Sequence, residues 1–144
     1  MGVAEILLKR KQELASKNLI AGEEFRSVNG TNQNVTTLAS GLQFEVISMG
    51  SGEKPTENST VECHYHGYNI GGEVFDSSVQ RNKTATFALN RVIKGWTEGV
   101  QLMPIGSKFK FVIPPHLAYG EEQLSKEIGP NSTLIFEVEL INIL

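Results

Sequence analysis

The spacing of apolar residues changes along the chain. From residue 42 onward, apolar residues recur mostly at every second position, the period of strands that bury one face. Six segments have this period or consist of strand-favouring residues: 42–46, 61–66, 74–75, 84–89, 108–113 and 134–140. Mostly short turn sequences separate them, such as Gly71-Gly72, so we expect the strands to pair in antiparallel fashion.

One segment within this strand-rich region has a helical period instead. Its apolar residues follow the spacing i, i+3, i+7 of one helix face: Ile93, Trp96, Val100 and Met103. Pro104 and Gly106 end the pattern. An antiparallel sheet wrapped on this single short helix is the economical architecture, so we predict the α+β class.

The first 29 residues are mostly helix formers, with Glu and Lys four residues apart in the favourable order. They predict a helix, either continuous or broken near Gly22. Polar residues interrupt its apolar stripe of Leu7, Leu14, Ala21 and Phe25, so this helix is expected to lie outside the main core.

Residues 29–41 are rich in Asn, Thr, Ser and Gly, which is typical of a linker. We therefore predict a helical arm and linker over residues 1–34 and one domain over residues 35–144. Because the thin stripe contributes little core, the arm is expected to be dispensable for activity on short peptides.

Charge and composition exclude several classes of partner. The net charge is −3 and no basic run exceeds Lys9-Arg10-Lys11, so no nucleic acid is expected as a partner. The same basic run interrupts Ile6-Leu7-Leu8, so we expect neither a signal peptide nor membrane binding, and a cytoplasmic location. Cys63 is the only cysteine and lies in an apolar alternation, which predicts a buried thiol and excludes an intrachain disulfide.

The sequence offers little for metal, cofactor or covalent chemistry. His64 and His66 lie two residues apart on one predicted strand face, but a metal site needs at least one further ligand. There is no serine in a nucleophile elbow, no phosphate-binding loop and no dinucleotide fingerprint. We therefore expect neither a metal nor a cofactor.

Trp96 has two interpretations. A lone tryptophan is commonly a core anchor, but its large ring at the start of a helix also suits the floor of a cavity. Aromatic residues concentrate at other strand ends and turns, with Asp76 directly after one of them: Tyr65, Phe75, Phe87, Tyr119 and Phe136. That concentration favours the cavity.

Five blocks in order carry a resemblance to a known family: Tyr65-His66-Gly67, Phe75-Asp76-Ser77-Ser78, Val92 to Gly99, Ala118-Tyr119-Gly120 and Asn131 to Phe136. They resemble, in the same order and spacing, the signature of FKBP-type peptidyl-prolyl cis-trans isomerases, from about residue 36 to residue 144. The stretch from Ser40 to Gln43 and the preceding helix are similar to the bacterial branch related to macrophage infectivity potentiators. In that branch a long helix links the domain to a dimerisation module.

The resemblance implies a fold and a site. The fold is a curved antiparallel sheet of five or six strands around one short helix. The catalytic residues implied are Asp76, Tyr119 and Ile93. The substrate-binding residues implied are Tyr65, Phe75, Arg81, Phe87, Val92, Trp96, Leu124, Ile128 and Phe136, with Asp76 orienting Tyr119 or polarising the site. Four positions depart from familiar members, namely Ala85, Leu124, Glu127 and Gly129, so loop packing and substrate preference are open.

The activity implied is acceleration of X-Pro bond rotation in peptides and unfolded protein chains. The alternative is a chaperone or proline-motif binding module that uses the same groove without turnover. Macrolide inhibitors are further candidate ligands. Since polar residues interrupt the apolar stripe of the arm, we expect a monomer, with a weak dimer through this helix as the alternative.

Overall fold

The computed structural model describes residues 2–144, which form two α-helices and seven strands. Helix α1 spans Val3–Asn29 and helix α2 spans Lys94–Val100. The strands are β1 (Val35–Thr37), β2 (Gln43–Ser48), β3 (Thr60–Asn69), β4 (Val74–Ser77), β5 (Ala85–Ala88), β6 (Lys108–Ile113) and β7 (Leu134–Ile143). The α+β class predicted from the sequence is confirmed.

All strand pairs are antiparallel, in the order β1-β2-β6-β7-β3-β4, with β5 also pairing with β3. The structure has seven strands, whereas five or six were predicted, because β1 lies in the segment predicted as a linker. Val35-Thr36-Thr37 are β-branched residues that pair with β2 at the sheet edge. Three residues are too few to show a period in the sequence, so only the pairing reveals this strand.

The short helix predicted around Trp96 is confirmed and packs directly on β6. A Cβ added to Gly95 would lie 2.6 Å from Ile113 Cγ2, and one added to Gly99 would lie 2.5 Å from Phe111 Cε1. The two glycines therefore allow the helix backbone to approach the sheet at a distance that any side chain would prevent. This close approach brings Trp96 into the concave face of the sheet.

The predicted inward faces of β3, β6 and β7 are confirmed by burial. Their fully buried side chains include Val61, Cys63, Phe109, Phe111, Ile113, Leu134, Val138 and Leu140. In β2 the outcome differs: Val46 is exposed, whereas Gln43 is buried. The period-two prediction was therefore correct for Leu42, which is fully buried just before β2, and for Phe44, which packs against the core, and it was wrong at Val46.

Gln43 is buried because helix α1 crosses that face of the sheet. Its Nε2 donates to the carbonyl oxygen of Arg26 at 2.8 Å, and its Oε1 accepts from Asn29 Nδ2 at 2.8 Å. Val112 and Ile135, which follow Gln43 across the strands in register, are buried on the same face. The second half of α1 is thus not peripheral, and hydrogen bonds cross the predicted division between residues 34 and 35.

Helix α1 is continuous, and the break considered near Gly22 does not occur. Gly22 is instead the one residue of α1 that is fully buried against the domain. Residues 2–14 are exposed, including the stripe members Leu7 and Leu14. Among residues 2–144, neither helix combines the length and apolar character needed to cross a membrane.

Cys63 is expected to resist alkylation while the protein is folded. Burial, followed by the charge of Glu62, raises the pKa of this fully buried thiol from 9.0 to about 12. Since the thiolate is the reactive form, reaction with iodoacetamide at pH 8 should be about a hundredfold or more slower in the native protein than in urea. The same shift predicts that stability falls as pH rises from 9.0 toward about 12, because the unfolded chain loses this proton first. Equal alkylation rates in both states would show that the thiol is accessible.

Candidate functional site

An aromatic cavity of about 540 Å³ opens on the concave side of the sheet next to α2. Strands β3, β4, β5 and β7, the start of α2 and the segment between β6 and β7 all contribute to its wall. The lining residues are Tyr65, Phe75, Asp76, Phe87, Arg91, Val92, Ile93, Trp96, Tyr119, Leu124, Ser125, Ile128 and Phe136. The volume suits a group of a few heavy atoms with its flanking backbone.

Trp96 forms the floor of this cavity. Its indole lies in the first turn of α2, is 4% exposed and meets three other rings edge-on. The centroid distances are 5.6 Å to Tyr65, 5.2 Å to Phe87 and 5.4 Å to Phe136. Both interpretations of Trp96 therefore hold together, because it anchors the core with its buried edge and lines the cavity with one face.

Phe75 enters the wall because the β3–β4 pairing is irregular at this point. Gly67 pairs with Asp76 and Tyr68 with Val74, so Phe75 is the extra residue of a bulge, which re-aims a side chain. Its ring meets Phe136 edge-on at 5.4 Å. A Cβ on Gly67 would lie 2.8 Å from both rings, so the absence of a side chain there is what lets them meet.

The polar edge of the cavity is a three-residue network around Asp76. The Tyr65 hydroxyl donates to Asp76 Oδ2 at 2.6 Å, and Arg81 Nη1 forms a salt bridge with Asp76 Oδ1. Arg81 Nη2 also donates to the Tyr65 hydroxyl at 2.9 Å. The carboxylate is thus hydrogen-bonded to Tyr65, and not to Tyr119 as one of the two predicted roles required.

The network keeps Asp76 ionised. Partial burial by itself would raise the pKa of this carboxyl, but hydrogen bonds from Tyr65 and Arg81 and the Arg81 charge outweigh it and hold the pKa below its usual range. Burial, and then the negative charge of Asp76, raises the pKa of Tyr119. The Tyr119 phenol therefore stays protonated at neutral pH and remains a hydrogen-bond donor.

The start of α2 presents a backbone donor to the same space. Ile93 is the residue that precedes the first turn, and its carbonyl oxygen accepts from Trp96 N–H at 3.0 Å. Within residues 2–144, no protein group accepts a hydrogen bond from Ile93 N–H. A donor without a protein partner at a cavity wall suits a ligand carbonyl.

Eleven of the twelve site residues taken from the resemblance line this one cavity. Arg81 does not line it, but it contacts Asp76 and Tyr65 at its edge. Arg91 and Ser125 line the cavity and were missed. Arg91 directly precedes the Val92-Ile93 block and was within reach of sequence reasoning, whereas Ser125 lies in an irregular loop without a period.

The four positions that depart from familiar members lie in different surroundings, and only one of them lines the cavity. Leu124 lines the cavity while half exposed, and Ala85 lies in β5, paired with Cys63. The Glu127 carbonyl oxygen accepts from Asn69 Nδ2 at 3.1 Å. A Cβ on Gly129 would lie 3.0 Å from Asn18 Nδ2, so this glycine accommodates helix α1.

The two histidines considered as metal ligands have other partners. His64 Nδ1 lies 2.9 Å from Ser78 Oγ, and His66 Nδ1 lies 2.8 Å from Ser77 Oγ. Between Gly2 and Leu144 there is no group of three or more His, Cys, Asp or Glu side chains arranged to hold a metal.

Comparison with known proteins identifies two matching family models. Residues 51–141 match the model described as FKBP-type peptidyl-prolyl cis-trans isomerase. Residues 2–46 match the model of the domain amino terminal to FKBP-type peptidyl-prolyl isomerase. This second match runs through β1 and β2, in line with their place in the sheet and with the contacts that Gln43 makes to α1.

Individual relatives agree with these models. The chain is 47% identical, over 98% of its length, to the FKBP-type peptidyl-prolyl cis-trans isomerase FkpA of Aeromonas hydrophila, and spans 52% of that protein. The crystal structure of FkpA from Escherichia coli matches with a TM-score of 0.91 and 40% identity over 94% of this chain and 63% of that one. The crystal structure of a peptidyl-prolyl cis-trans isomerase from Pseudomonas syringae matches with a TM-score of 0.83 and 36% identity, over 90% of this chain and 95% of that one. The chain thus spans about half the length of the first of these relatives and nearly all of the last.

Proposed function

Because this chain belongs to the family of FKBP-type peptidyl-prolyl cis-trans isomerases, we propose that it accelerates rotation about X-Pro bonds in peptides and folding proteins. The observation that carries the proposal is the aromatic cavity floored by Trp96, whose wall is mostly aromatic and aliphatic, with Asp76 at its polar edge and Tyr119 and Ile93 as sources of hydrogen-bond donors. Substrates of this family are proline-containing peptides and proteins. Proline fits such a space because its ring is compact and carries no N–H that would be left unpaired.

Amide physics explains how such a cavity acts without covalent chemistry. Resonance holds the X-Pro bond planar with a rotation barrier of about 18 to 20 kcal/mol. Twisting the bond removes this resonance and with it part of the carbonyl dipole. A site with little water therefore disfavours the planar ground state relative to the twisted transition state, and catalysis follows from that difference in binding.

Three groups would act on the substrate in this proposal. The Ile93 N–H and the Tyr119 hydroxyl donate to substrate carbonyl oxygens and so fix the backbone on both sides of the rotating bond. Asp76 acts through Tyr65, because it accepts a hydrogen bond from the Tyr65 hydroxyl and so orients that ring in the wall. Arg81 balances the charge of the carboxylate at the outer edge.

A second candidate is a binding module that holds proline segments without turnover. The complete aromatic wall favours catalysis, whereas the departures in the loop that carries Leu124, which change the rim of the cavity, favour binding alone.

Exchange measurements on short X-Pro peptides separate the two functions. We expect the protein to increase the cis-trans exchange rate at catalytic concentration, and the same peptides to change Trp96 fluorescence as they bind. Magnetisation-transfer NMR and a fluorescence titration measure these two effects. A fluorescence change without faster exchange would establish the binding module. No response in either measurement would remove the cavity from consideration as a proline site.

We further propose unfolded protein chains as substrates and a monomeric state in dilute solution. The exposed first half of α1 suits weak contact with apolar segments of a client or with a second copy of this chain. A macrolide is a further candidate ligand of the aromatic cavity. The cytoplasmic location stays a prediction, since a buried free thiol is compatible with any compartment.

A further inference from the structure

We infer that residues 14–22 of helix α1 are a positioning element for the cavity, because they hold the loop that forms one of its walls. The effect on kcat/KM that this inference predicts rests on the proposed function. It assigns to the N-terminal helix a part in the isomerase site itself, and it predicts that removing the whole arm would alter peptide turnover.

The loop in question runs from Ala118 to Thr133, between a short turn of 3-10 helix and β7. It contributes Tyr119, Leu124, Ser125 and Ile128 to the cavity. Long loops without regular structure are uncommon in compact domains and need anchors to keep one conformation. Hydrogen bonds within this loop close its tip, with Leu124 N–H donating to the Ile128 carbonyl oxygen at 3.0 Å.

Side-chain hydrogen bonds tie this loop to the elements on either side of it. Asn18 Nδ2 of α1 donates to the Pro130 carbonyl oxygen at 2.8 Å, and Asn131 Nδ2 donates to the Ala15 carbonyl oxygen of α1 at 3.3 Å. From the β3–β4 hairpin, Asn69 Nδ2 donates to the Glu127 carbonyl oxygen at 3.1 Å. Helix α1 therefore holds the β7 side of the loop and the hairpin holds its middle.

Close packing reinforces the attachment to the helix. A Cβ on Gly22 would lie 2.4 Å from Thr133 Oγ1, so only a glycine at this position lets α1 reach the end of the loop. Thr133 is 2% exposed, and its hydroxyl has no hydrogen-bond partner within residues 2–144. A buried hydroxyl without a partner costs free energy, so the position is used for its fit against Gly22 and not for a hydrogen bond.

The direct consequence is mechanical. Residues 14–22 contact residues 129–133, and Ile128, next to Gly129, is a buried cavity residue at 6% exposure. A shift of the helix at Gly22 is thus transmitted over a few residues to the wall against which substrate lies. Even a small displacement of a wall residue matters in a site that acts by shape and exclusion of water.

Gly22→Ala tests the inference, because the added methyl group meets Thr133 while alanine strengthens the helix itself. The paired variant is Gly22→Ala with Thr133→Ala, which removes the Oγ1 atom and leaves Thr133 Cβ, 3.3 Å away, as the nearest neighbour. Thr133→Ala alone and Ser16→Ala, at an exposed position of α1, are the matched controls. Asn18→Ala removes the hydrogen bond to Pro130 without adding bulk.

In the full chain, we expect Gly22→Ala to lower kcat/KM on short X-Pro peptides by about two- to thirtyfold, and the paired variant to recover most of it. KM should rise more than kcat falls, because the wall contacts bound peptide. Amide hydrogen exchange at Leu124, Ile128 and Asn131 should accelerate in Gly22→Ala and return in the paired variant. Asn18→Ala should show the same direction with a smaller effect, and Ser16→Ala should behave as wild type. Thr133→Ala alone is the baseline for the paired variant, because it removes side-chain atoms that pack against Gly22 and should itself loosen this contact slightly.

Unchanged turnover and unchanged loop exchange in Gly22→Ala would overturn the inference, as would a loss that Thr133→Ala does not recover. If Gly22→Ala does not fold, Asn18→Ala decides by the same two measurements. A wild-type protein without isomerase activity would refute the proposed function instead. Amide hydrogen exchange of the loop in these five variants would then still decide whether α1 holds this wall.

Discussion

Trp96→Ala is expected to remove most of the activity and to cost about 3 to 5 kcal/mol of the free energy of unfolding. The indole is almost fully buried and contacts three rings that form the rest of the wall, so its removal opens the floor and leaves those rings without a partner. With water admitted and substrate poorly placed, kcat/KM should fall by about a hundredfold or more. Urea unfolding followed by circular dichroism, together with peptide exchange on the folded fraction, measures both effects.

The matched control is Phe109→Ala. Phe109 is 1% exposed and stacks on Phe44 at 5.7 Å, but it does not line the cavity. Its truncation should cost a similar free energy of unfolding and leave turnover per folded molecule nearly unchanged. If the two variants lose activity equally, Trp96 acts only through stability, and the cavity assignment fails.

Asp76→Ala is expected to lower kcat/KM by about ten- to a hundredfold while the fold persists, because charge-assisted hydrogen bonds are worth about 1.5 to 3 kcal/mol each. The carboxylate lies at the cavity edge and holds the Tyr65 hydroxyl at 2.6 Å together with Arg81. Since the Asp76 pKa is depressed, the group stays ionised above about pH 5, and the rate should not follow its titration between about pH 5 and 9. Its stabilising contribution should disappear as pH falls below the ordinary aspartate range.

Tyr65→Phe is the control that separates the two roles of the carboxylate. If Asp76 acts by orienting Tyr65, the double variant Asp76→Ala with Tyr65→Phe should lose no more activity than Asp76→Ala alone. Additive losses would mean that the carboxylate acts on the substrate directly. Wild-type rates in Asp76→Ala would remove it from the mechanism.

Local periodicity was sufficient for the elements whose side chains alternate between core and solvent. Strand β3 buries one face, and β6 and β7 do so except at Val112 and Ile135, which are buried on the other face. Their sequences therefore keep period two over most of their length, and α2 follows the helical period. Ordered blocks of aromatic residues, compared with a known family, were enough to bring eleven cavity residues together. These features depend on spacing along the chain, which the sequence records directly.

The sequence could not show which polar atoms meet across the cavity. Two tyrosines could have bonded to Asp76. The pairing of β3 with β4, with its bulge at Phe75, places the carboxylate within hydrogen-bonding distance of the Tyr65 hydroxyl. Tyr119 lies nearby but is not hydrogen-bonded to Asp76. Hydrogen bonds between side chains on different strands depend on register. Register is set by the whole sheet and not by any one segment.

By itself, the sequence determined the α+β class and the inward faces of the main strands, because both follow from local period. The residues of the aromatic wall followed from the ordered blocks that resemble a known family. Only the tertiary structure decided the place of helix α1. The first two residues of its apolar stripe, Leu7 and Leu14, are exposed, while Asn18, Gly22 and Asn29 make contacts to the domain. Because the helix docks through polar atoms and through a glycine, its docking face has no hydrophobic pattern in the sequence. Only contacts between residues far apart in the chain reveal where the helix lies.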